Sequence, residues 1–180
     1  MRLMRRKIDD FLKEWKENED RLPLVVKGAR QIGKTASIMQ FANDNYKNVV
    51  AINFVLQQKF KSIFDDGYDV DSVVRNITLI DPSIELEPGN TIFFFDEMQD
   101  CPVCATSLKA FKIDGRYDVV CSGSLMGINY QEIESNSVGY KEDYTMHSMD
   151  FEEFLWAKGY DSAFIERLYE KMVSITPLSN

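Results

Sequence analysis

Apolar and polar positions alternate along the chain in two ways, one typical of amphipathic helices and the other of buried strands. Near the N-terminus, apolar residues at helical spacing predict an amphipathic helix packed on a core. The apolar positions of this helix are Met4, Ile8, Phe11, Leu12 and Trp15. The basic cluster Arg5, Arg6 and Lys7 is followed at once by acidic residues, so we expect an ordinary solvated helix face there. A second helix is predicted from Thr35 to about Asn45.

Short apolar runs predict five strands, at residues 22–27, 49–54, 91–95, 118–121 and, more weakly, 144–146. The stretches between them are helical or polar and long enough for crossover connections. This alternation predicts an α/β fold with a five-stranded, mostly parallel sheet and helices on both faces. After Ser148 the apolar spacing becomes helical again, up to Pro177.

Composition and net charge disfavour several classes of protein and of binding site. The chain has 180 residues with 21 Lys and Arg against 29 Asp and Glu, a net charge of −8, so nucleic acid binding is not indicated by charge. It has no apolar run of roughly 18 residues and no export leader, which favours a soluble cytoplasmic protein with no membrane association. Three cysteines are too few for a disulfide framework, and a single histidine argues against a multi-histidine metal centre.

One glycine-containing loop carries the strongest chemical signal. It follows the first strand, precedes a helix, and has glycine, four variable residues, glycine, lysine and threonine in order. Backbone N–H groups of such a loop surround an anion, the lysine reaches the outer phosphates, and the threonine hydroxyl coordinates Mg²⁺. The predicted phosphate-binding residues are Gly28, Ala29, Arg30, Gln31, Ile32, Gly33, Lys34 and Thr35.

The third apolar strand ends in two carboxylates, Asp96 and Glu97. Because parallel sheets bind ligands at the carboxyl ends of their strands, this end should face the loop. We expect Asp96 to serve the Mg²⁺ site with Thr35, and Glu97 to polarise the water that attacks the terminal phosphate.

These segments resemble Walker A and Walker B motifs. With Ser122-Gly123-Ser124-Leu125 and residues 150–155, they resemble an AAA+ family of prokaryotic ATPases that carry a C-terminal domain of unknown function. The resemblance spans most of residues 1–155 and implies ATP and Mg²⁺ as ligands. It also implies a P-loop NTPase three-layer sandwich in which the strand ending at Cys121 lies between the loop strand and the acidic strand. Ser124, or alternatively Ser122, would then be a sensor beside the γ-phosphate, unless Ser-Gly-Ser is only a turn.

The resemblance also implies a domain organisation, and the sequence departs from the family pattern in two respects. Residues 1–20 would be a helix packed on the core, residues 21–148 the ATPase domain, and residues 149–180 the start of a helical lid, so the chain is expected to be truncated. Gly139-Tyr140-Lys141 stands where relatives have a glycine-arginine pair, so an arginine finger is not evident, and Arg116 is expected to be a surface charge. Self-association or a protein partner is compatible with the resemblance.

Several other readings compete with a magnesium-dependent ATPase. The alternative function is a catalytically idle nucleotide-binding or interaction module. A GTPase is less favoured because the sequence has no guanine-reading motif, and a small-molecule kinase is less favoured because the C-terminal half has few arginines. Cys101 and Cys104 have the spacing of half a zinc site, but no second pair follows. Ser124, Asp143 and His147 imitate a hydrolase triad without the glycines of a nucleophile elbow.

Overall fold

The computed structural model describes residues 4–124 and 139–174. Two short 3₁₀ helices, Gln58–Phe64 and Met98–Asp100, supplement the main elements. In chain order, these are α1 (Lys7–Glu17), β1 (Leu24–Gly28), α2 (Lys34–Asn45), β2 (Asn48–Asn53), α3 (Val70–Ile80), β3 (Thr91–Asp96), α4 (Cys104–Asp114), β4 (Asp118–Ser124), β5 (Glu142–Thr145), α5 (Phe151–Ala157) and α6 (Ser162–Val173).

The five strands form one sheet in the order β2-β3-β4-β1-β5, and every pair is parallel. This confirms the α/β fold class and the position of β4 between β1 and β3. The central strands β1 and β3 are buried along their whole length, which explains their continuous apolar sequences. Because all strands run the same way, the C-terminal residues of β1, β2, β3 and β4 meet at one edge of the sheet.

Alternate residues of each strand face two separate helical layers. Leu24 and Val26 of β1, with Ile92 and Phe94 of β3, pack against α1 and α2. The opposite face of the sheet, including Val25, Phe93 and Phe95, packs against the layer that contains α3 and α4. The molecule is therefore a three-layer sandwich, and its buried phenylalanines are concentrated on the second face, where Phe93 lies 5.3 Å from Phe111 between ring centroids.

Most element boundaries differ from the prediction by one to three residues, and two of the differences change the interpretation. β4 extends to Ser124 instead of ending at residue 121, so Ser122-Gly123-Ser124 is strand and the turn alternative is wrong, while Leu125 lies outside the described residues. α1 begins at Lys7, and Met4 is 58% exposed before it, whereas Ile8, Leu12 and Trp15 are buried as expected. Pro177, the predicted end of the last helical region, also lies outside the described residues.

Among residues 4–124 and 139–174, no helix combines the length and apolar character that crossing a membrane requires. The division of the chain into helix, core and lid stays a prediction.

Candidate functional site

The predicted phosphate loop connects β1 to α2. β1 ends at Gly28, α2 begins at Lys34, and Gly33 between them has φ 100°, a left-handed conformation that glycine adopts readily. A Cβ atom on Gly28 would lie 2.4 Å from the backbone oxygen of Met146, so only glycine fits at the start of the loop. Arg30 and Gln31, at two of the variable positions of the loop, are exposed.

Lys34 folds back across this loop. Its side chain is largely buried, and Nζ donates hydrogen bonds to the carbonyl oxygens of Gly28 at 2.9 Å and Ala29 at 2.6 Å. Burial lowers the pKa of Lys34 from its ordinary value, while the carboxylates of Glu97 and Asp96 act in the opposite direction. The ammonium group is thus already positioned at the centre of the loop, held by backbone acceptors that a phosphate oxygen could replace.

Asp96 lies at the end of β3 and is only 6% exposed. The Thr35 hydroxyl donates to its Oδ2 at 3.2 Å, which brings together the two residues predicted for the metal. Asn53 Nδ2 donates to the same oxygen at 2.9 Å, and the Ser122 hydroxyl donates to Oδ1. A buried carboxylate with three side-chain donors is firmly oriented towards the loop.

Asn53 was not among the site residues predicted from the sequence. It is the last residue of β2 and pairs with Asp96 in the parallel register. The rule that placed Asp96 at the ligand-binding edge applies equally to a polar residue at the end of the neighbouring strand, so this signal was present in the sequence.

Glu97 follows directly after β3 and adopts a left-handed conformation with φ 56°, which is uncommon for a residue with a side chain. Its backbone N–H donates to Asp96 Oδ1 at 3.1 Å, and its carboxylate accepts a hydrogen bond from Gln99 Nε2. Such backbone conformations concentrate at functional sites, where the surroundings hold them.

The two serines considered as sensors occupy different positions. Ser122 is fully buried within β4 and its hydroxyl is bonded to Asp96. Ser124 ends β4, where it pairs in register with Gly28, and its backbone N–H donates to Gln99 Oε1 at 3.2 Å. The choice of Ser124 as the sensor stays a prediction.

Arg6 corrects one expectation. It precedes α1 and is only 8% exposed, so the predicted solvated face does not include it. Its guanidinium donates to the carbonyl oxygens of Ile32 at 2.8 Å and His147 at 2.9 Å, and Nε lies 3.1 Å from Glu153 Oε1. No local sequence pattern predicts this role, because the partners are two backbone oxygens and a carboxylate far away in the chain.

The remaining candidates lie away from the loop or have ordinary structural contacts. Arg116 precedes β4, at the opposite end of the strand from Ser124, and its guanidinium contacts Asp114 and Asp71. Burial raises the pKa of the Cys101 thiol to about 11 and that of Cys104 well above its ordinary value. Within residues 4–124 and 139–174, no three His, Cys, Asp or Glu side chains are grouped to hold a metal ion.

A cavity of about 380 Å³ adjoins the loop on the side of α1. Met4, Ile32, Ala36 and Met149 contribute apolar walls, and Arg6 and Ser37 contribute polar ones. A mostly apolar lining with a few polar groups is typical of small-molecule sites, and this cavity shares Gln31, Ile32 and Gly33 with the loop.

The chain is similar to a protein family, to a relative and to a solved structure. Residues 20–155 match a protein-family model described as an AAA domain. An uncharacterised protein of Haemophilus influenzae is 24% identical over 154 residues, and that match covers 83% of this chain and 36% of the relative, so the chain spans about a third of its length. The structure of C. elegans PCH-2 is similar with a TM-score of 0.47 and 14% identity, over 97% of this chain and 49% of that one.

Proposed function

The chain belongs to the AAA domain family, a family of nucleotide-binding ATPases, and on that premise we propose that it binds ATP with Mg²⁺ and hydrolyses the terminal phosphate. One observation carries the proposal: Lys34, Thr35, Asp96 and Glu97, from two separate segments, converge at the carboxyl edge of the sheet. Phosphoryl transfer to water mainly requires positioning and charge neutralisation, and these residues supply both.

The residues at the loop fit a nucleotide phosphate chain and a magnesium ion. The N-terminus of α2 points its free N–H groups at the loop, and Lys34 Nζ already lies among carbonyl acceptors there. Hydroxyl and carboxylate oxygens are the ligands Mg²⁺ prefers, and Thr35 and Asp96 place such oxygens 3.2 Å apart. When bound, the ion would neutralise charge on the phosphate oxygens.

Glu97 is the residue proposed to accept a proton from the attacking water. It is partly buried beside Asp96, and its carboxylate is directed by Gln99. Ser122 or Ser124 would detect the presence of the terminal phosphate, since both lie on the strand between β1 and β3. The apolar cavity beside Ile32 is proposed to receive the adenine base.

A catalytically idle nucleotide-binding module is the second candidate. It is favoured by the position of Arg116, which lies at the far end of β4 and cannot supply an arginine finger within this chain. An arginine from a second copy or a protein partner would remove this difficulty, and self-association is proposed on that basis. A cytoplasmic location is proposed from the three free buried thiols, which suit a reducing compartment.

Binding and turnover together test the proposal. The purified chain is titrated with a fluorescent ATP analogue and Mg²⁺, and phosphate release is then measured in the same samples. Lys34→Ala should weaken binding about tenfold or more, because a charge-assisted contact is lost, whereas Lys47→Ala, on an exposed lysine that pairs with Glu87, should bind as the parent does.

Glu97→Gln separates the two candidates. For an ATPase, binding should survive and turnover should fall by more than about tenfold, the effect of losing a general base. Turnover equal in parent and variant would exclude Glu97 as the base, and binding without release in the parent would favour the idle module. If the parent does not bind ATP, the proposed function is wrong.

A further inference from the structure

Gln99 links the acidic strand end to the neighbouring strand through the two polar ends of its amide. We propose that Gln99 is a positioning residue that holds the Glu97 carboxylate for attack on the terminal phosphate and connects its orientation to the end of β4. This inference rests on the proposed function and adds a residue to the same site.

The contacts of the Gln99 amide reach both sides of the gap between β3 and β4. Nε2 donates to Glu97 Oε2 and, at 3.2 Å, to Asp100 Oδ2. Oε1 accepts from the backbone N–H of Ser124 at 3.2 Å. A carboxylate can only accept and a backbone N–H can only donate, so an amide is the group that satisfies both partners at once.

The backbone under Gln99 is well fixed. Gln99 lies in the short 3₁₀ helix Met98–Asp100, in which Asp100 N–H donates to Glu97 O at 2.9 Å and Cys101 N–H donates to Met98 O at 3.0 Å. Met98 is buried and anchors this turn. The amide is therefore presented from a rigid support, as expected for a side chain that orients a reacting group.

Gly123 of β4 lies close against this amide. A Cβ atom on Gly123 would lie 3.1 Å from Gln99 Oε1 and 3.4 Å from Met98 Cγ. The first distance is tighter than most carbon contacts, so a side chain at position 123 would require the amide to shift by a few tenths of an ångström, whereas the second is an ordinary contact. Gly123 directly precedes Ser124, the candidate sensor, so this close approach lies at the end of β4.

The position of Ser124 gives the connection its functional meaning. Ser124 pairs with Gly28 at the start of the phosphate loop, so the N–H that holds Gln99 belongs to the strand that lies against the loop. A shift of this strand end on phosphate binding or release would move the amide, and the Glu97 carboxylate with it. Glu97 needs such external support because its left-handed backbone is not favoured by itself.

The experiment measures steady-state and single-turnover phosphate release for the parent, Gln99→Met and Gln99→Glu. Met keeps the length of the side chain without the amide, and Glu presents a like charge to Glu97 and Asp100. We expect kcat to fall about tenfold in both variants while KM and the Kd for ATP change less than about twofold, since only the general base is misplaced. Gln40→Met, on an exposed glutamine of α2, is the matched control and should behave as the parent.

A double substitution distinguishes positioning through Glu97 from a merely structural role. In the Glu97→Gln background, Gln99→Met should lower the residual rate less than about twofold, because the group it acts on is already absent. An equal fall in both backgrounds, or an unchanged or raised kcat in Gln99→Met alone, would overturn the proposal. If Gln99→Met does not fold, Gly123→Ala serves instead, with a reduced kcat and an unchanged KM expected.

The two proposals fail in different ways. A parent that binds and hydrolyses ATP while Gln99→Met does so equally well overturns only the role of Gln99. A parent that releases no phosphate overturns the ATPase function and the role of Gln99 with it.

Discussion

The Asp96 carboxylate is oriented by side chains from three separate elements. Donors from the start of α2, the end of β2 and β4 converge on it, as Thr35, Asn53 and Ser122. Removing a contact that orients a metal ligand typically costs about 10–100-fold in metal affinity. The polar residues at the strand ends therefore act as a group, and their separate contributions can be measured.

The two serines should have separable effects. Ser122→Ala removes the donor on Asp96 Oδ1, so the Mg²⁺ concentration for half-maximal nucleotide binding should rise about tenfold, the effect of losing a contact that orients a metal ligand. Ser124→Ala removes the hydroxyl of the candidate sensor and retains the backbone hydrogen bond to Gln99. It should therefore lower kcat and leave the Mg²⁺ requirement unchanged. Mg²⁺ titrations of ATP binding and turnover, made on both variants, check this.

The reverse pattern, with Ser124→Ala shifting the Mg²⁺ requirement and Ser122→Ala leaving it unchanged, would show that the roles are exchanged. Equal effects of both substitutions would contradict the assignment of distinct roles.

At the residue scale, sequence motifs predicted the contact between motif residues. They did not predict contacts that form only when distant segments of the chain pack together. The Thr35–Asp96 contact was expected because motif and strand order bring both residues to one edge. Arg6 was assigned to solvent, since local acidic neighbours were the available guide, whereas its partners come from the loop and from α5. Contacts between distant backbone atoms leave no pattern in the sequence.

At the scale of elements, apolar runs located all five strands but not their ends. β4 continues through polar residues to Ser124 because pairing with β1 satisfies their backbone groups, and periodicity does not report that pairing. The start of α5 is better specified: Asp150 accepts from Glu153 N–H at 2.9 Å and Glu153 accepts from Asp150 N–H at 3.1 Å, a capping box.

The cap on α5 should depend on pH. The Glu153 N–H and then the Lys7 ammonium hold the pKa of Asp150 below its ordinary value of 3.8. A carboxyl with a depressed folded pKa stabilises the fold fully above its ordinary value, and that stabilisation is lost as the pH falls through the folded value. Asp150→Ala should thus lower the free energy of unfolding by about 1 kcal/mol near neutral pH, and the difference from the parent should shrink below pH 3.8.

Urea unfolding followed by circular dichroism at a series of pH values measures this difference. Asp150→Asn is the matched control, because asparagine is an equally good cap without the charge, and its loss of stability should be smaller. A difference between parent and Asp150→Ala that stays constant across the acid range would contradict the titration of Asp150.

At the scale of the whole molecule, the position of β4 between β1 and β3 could be predicted because the family resemblance implied it, while the contacts between the N-terminal segment and α5 could not be predicted. Arg6 before α1 and Glu153 in α5 form an ion pair whose side chains are almost entirely buried. Glu153 also accepts from the backbone N–H of Lys7 at 2.8 Å. The same guanidinium bonds to Ile32 O in the phosphate loop, so one side chain joins the N-terminal segment, the loop and the helix after the sheet.

This buried pair should be strongly coupled in stability. Glu153→Leu leaves the Arg6 charge buried without a partner and should cost about 3 kcal/mol of unfolding free energy. Arg6→Met also loses the bonds to Ile32 and His147, so it should cost a similar amount. In the double variant the orphaned charge is gone, and the loss should be smaller than the sum of the single losses by more than about 1 kcal/mol.

Urea unfolding of the parent, both single variants and the double variant completes the cycle. Arg5→Met is the control for the loss of a basic residue at this end of α1, because the Arg5–Asp10 pair is exposed and should contribute less than about 1 kcal/mol. Additive losses, within about 0.5 kcal/mol, would mean that Arg6 stabilises the fold through the two carbonyl oxygens alone. Coupling of the expected size would mean instead that the loop carrying Lys34 and the helix after β5 are stabilised by a shared charge. A substitution in either one would then destabilise the other.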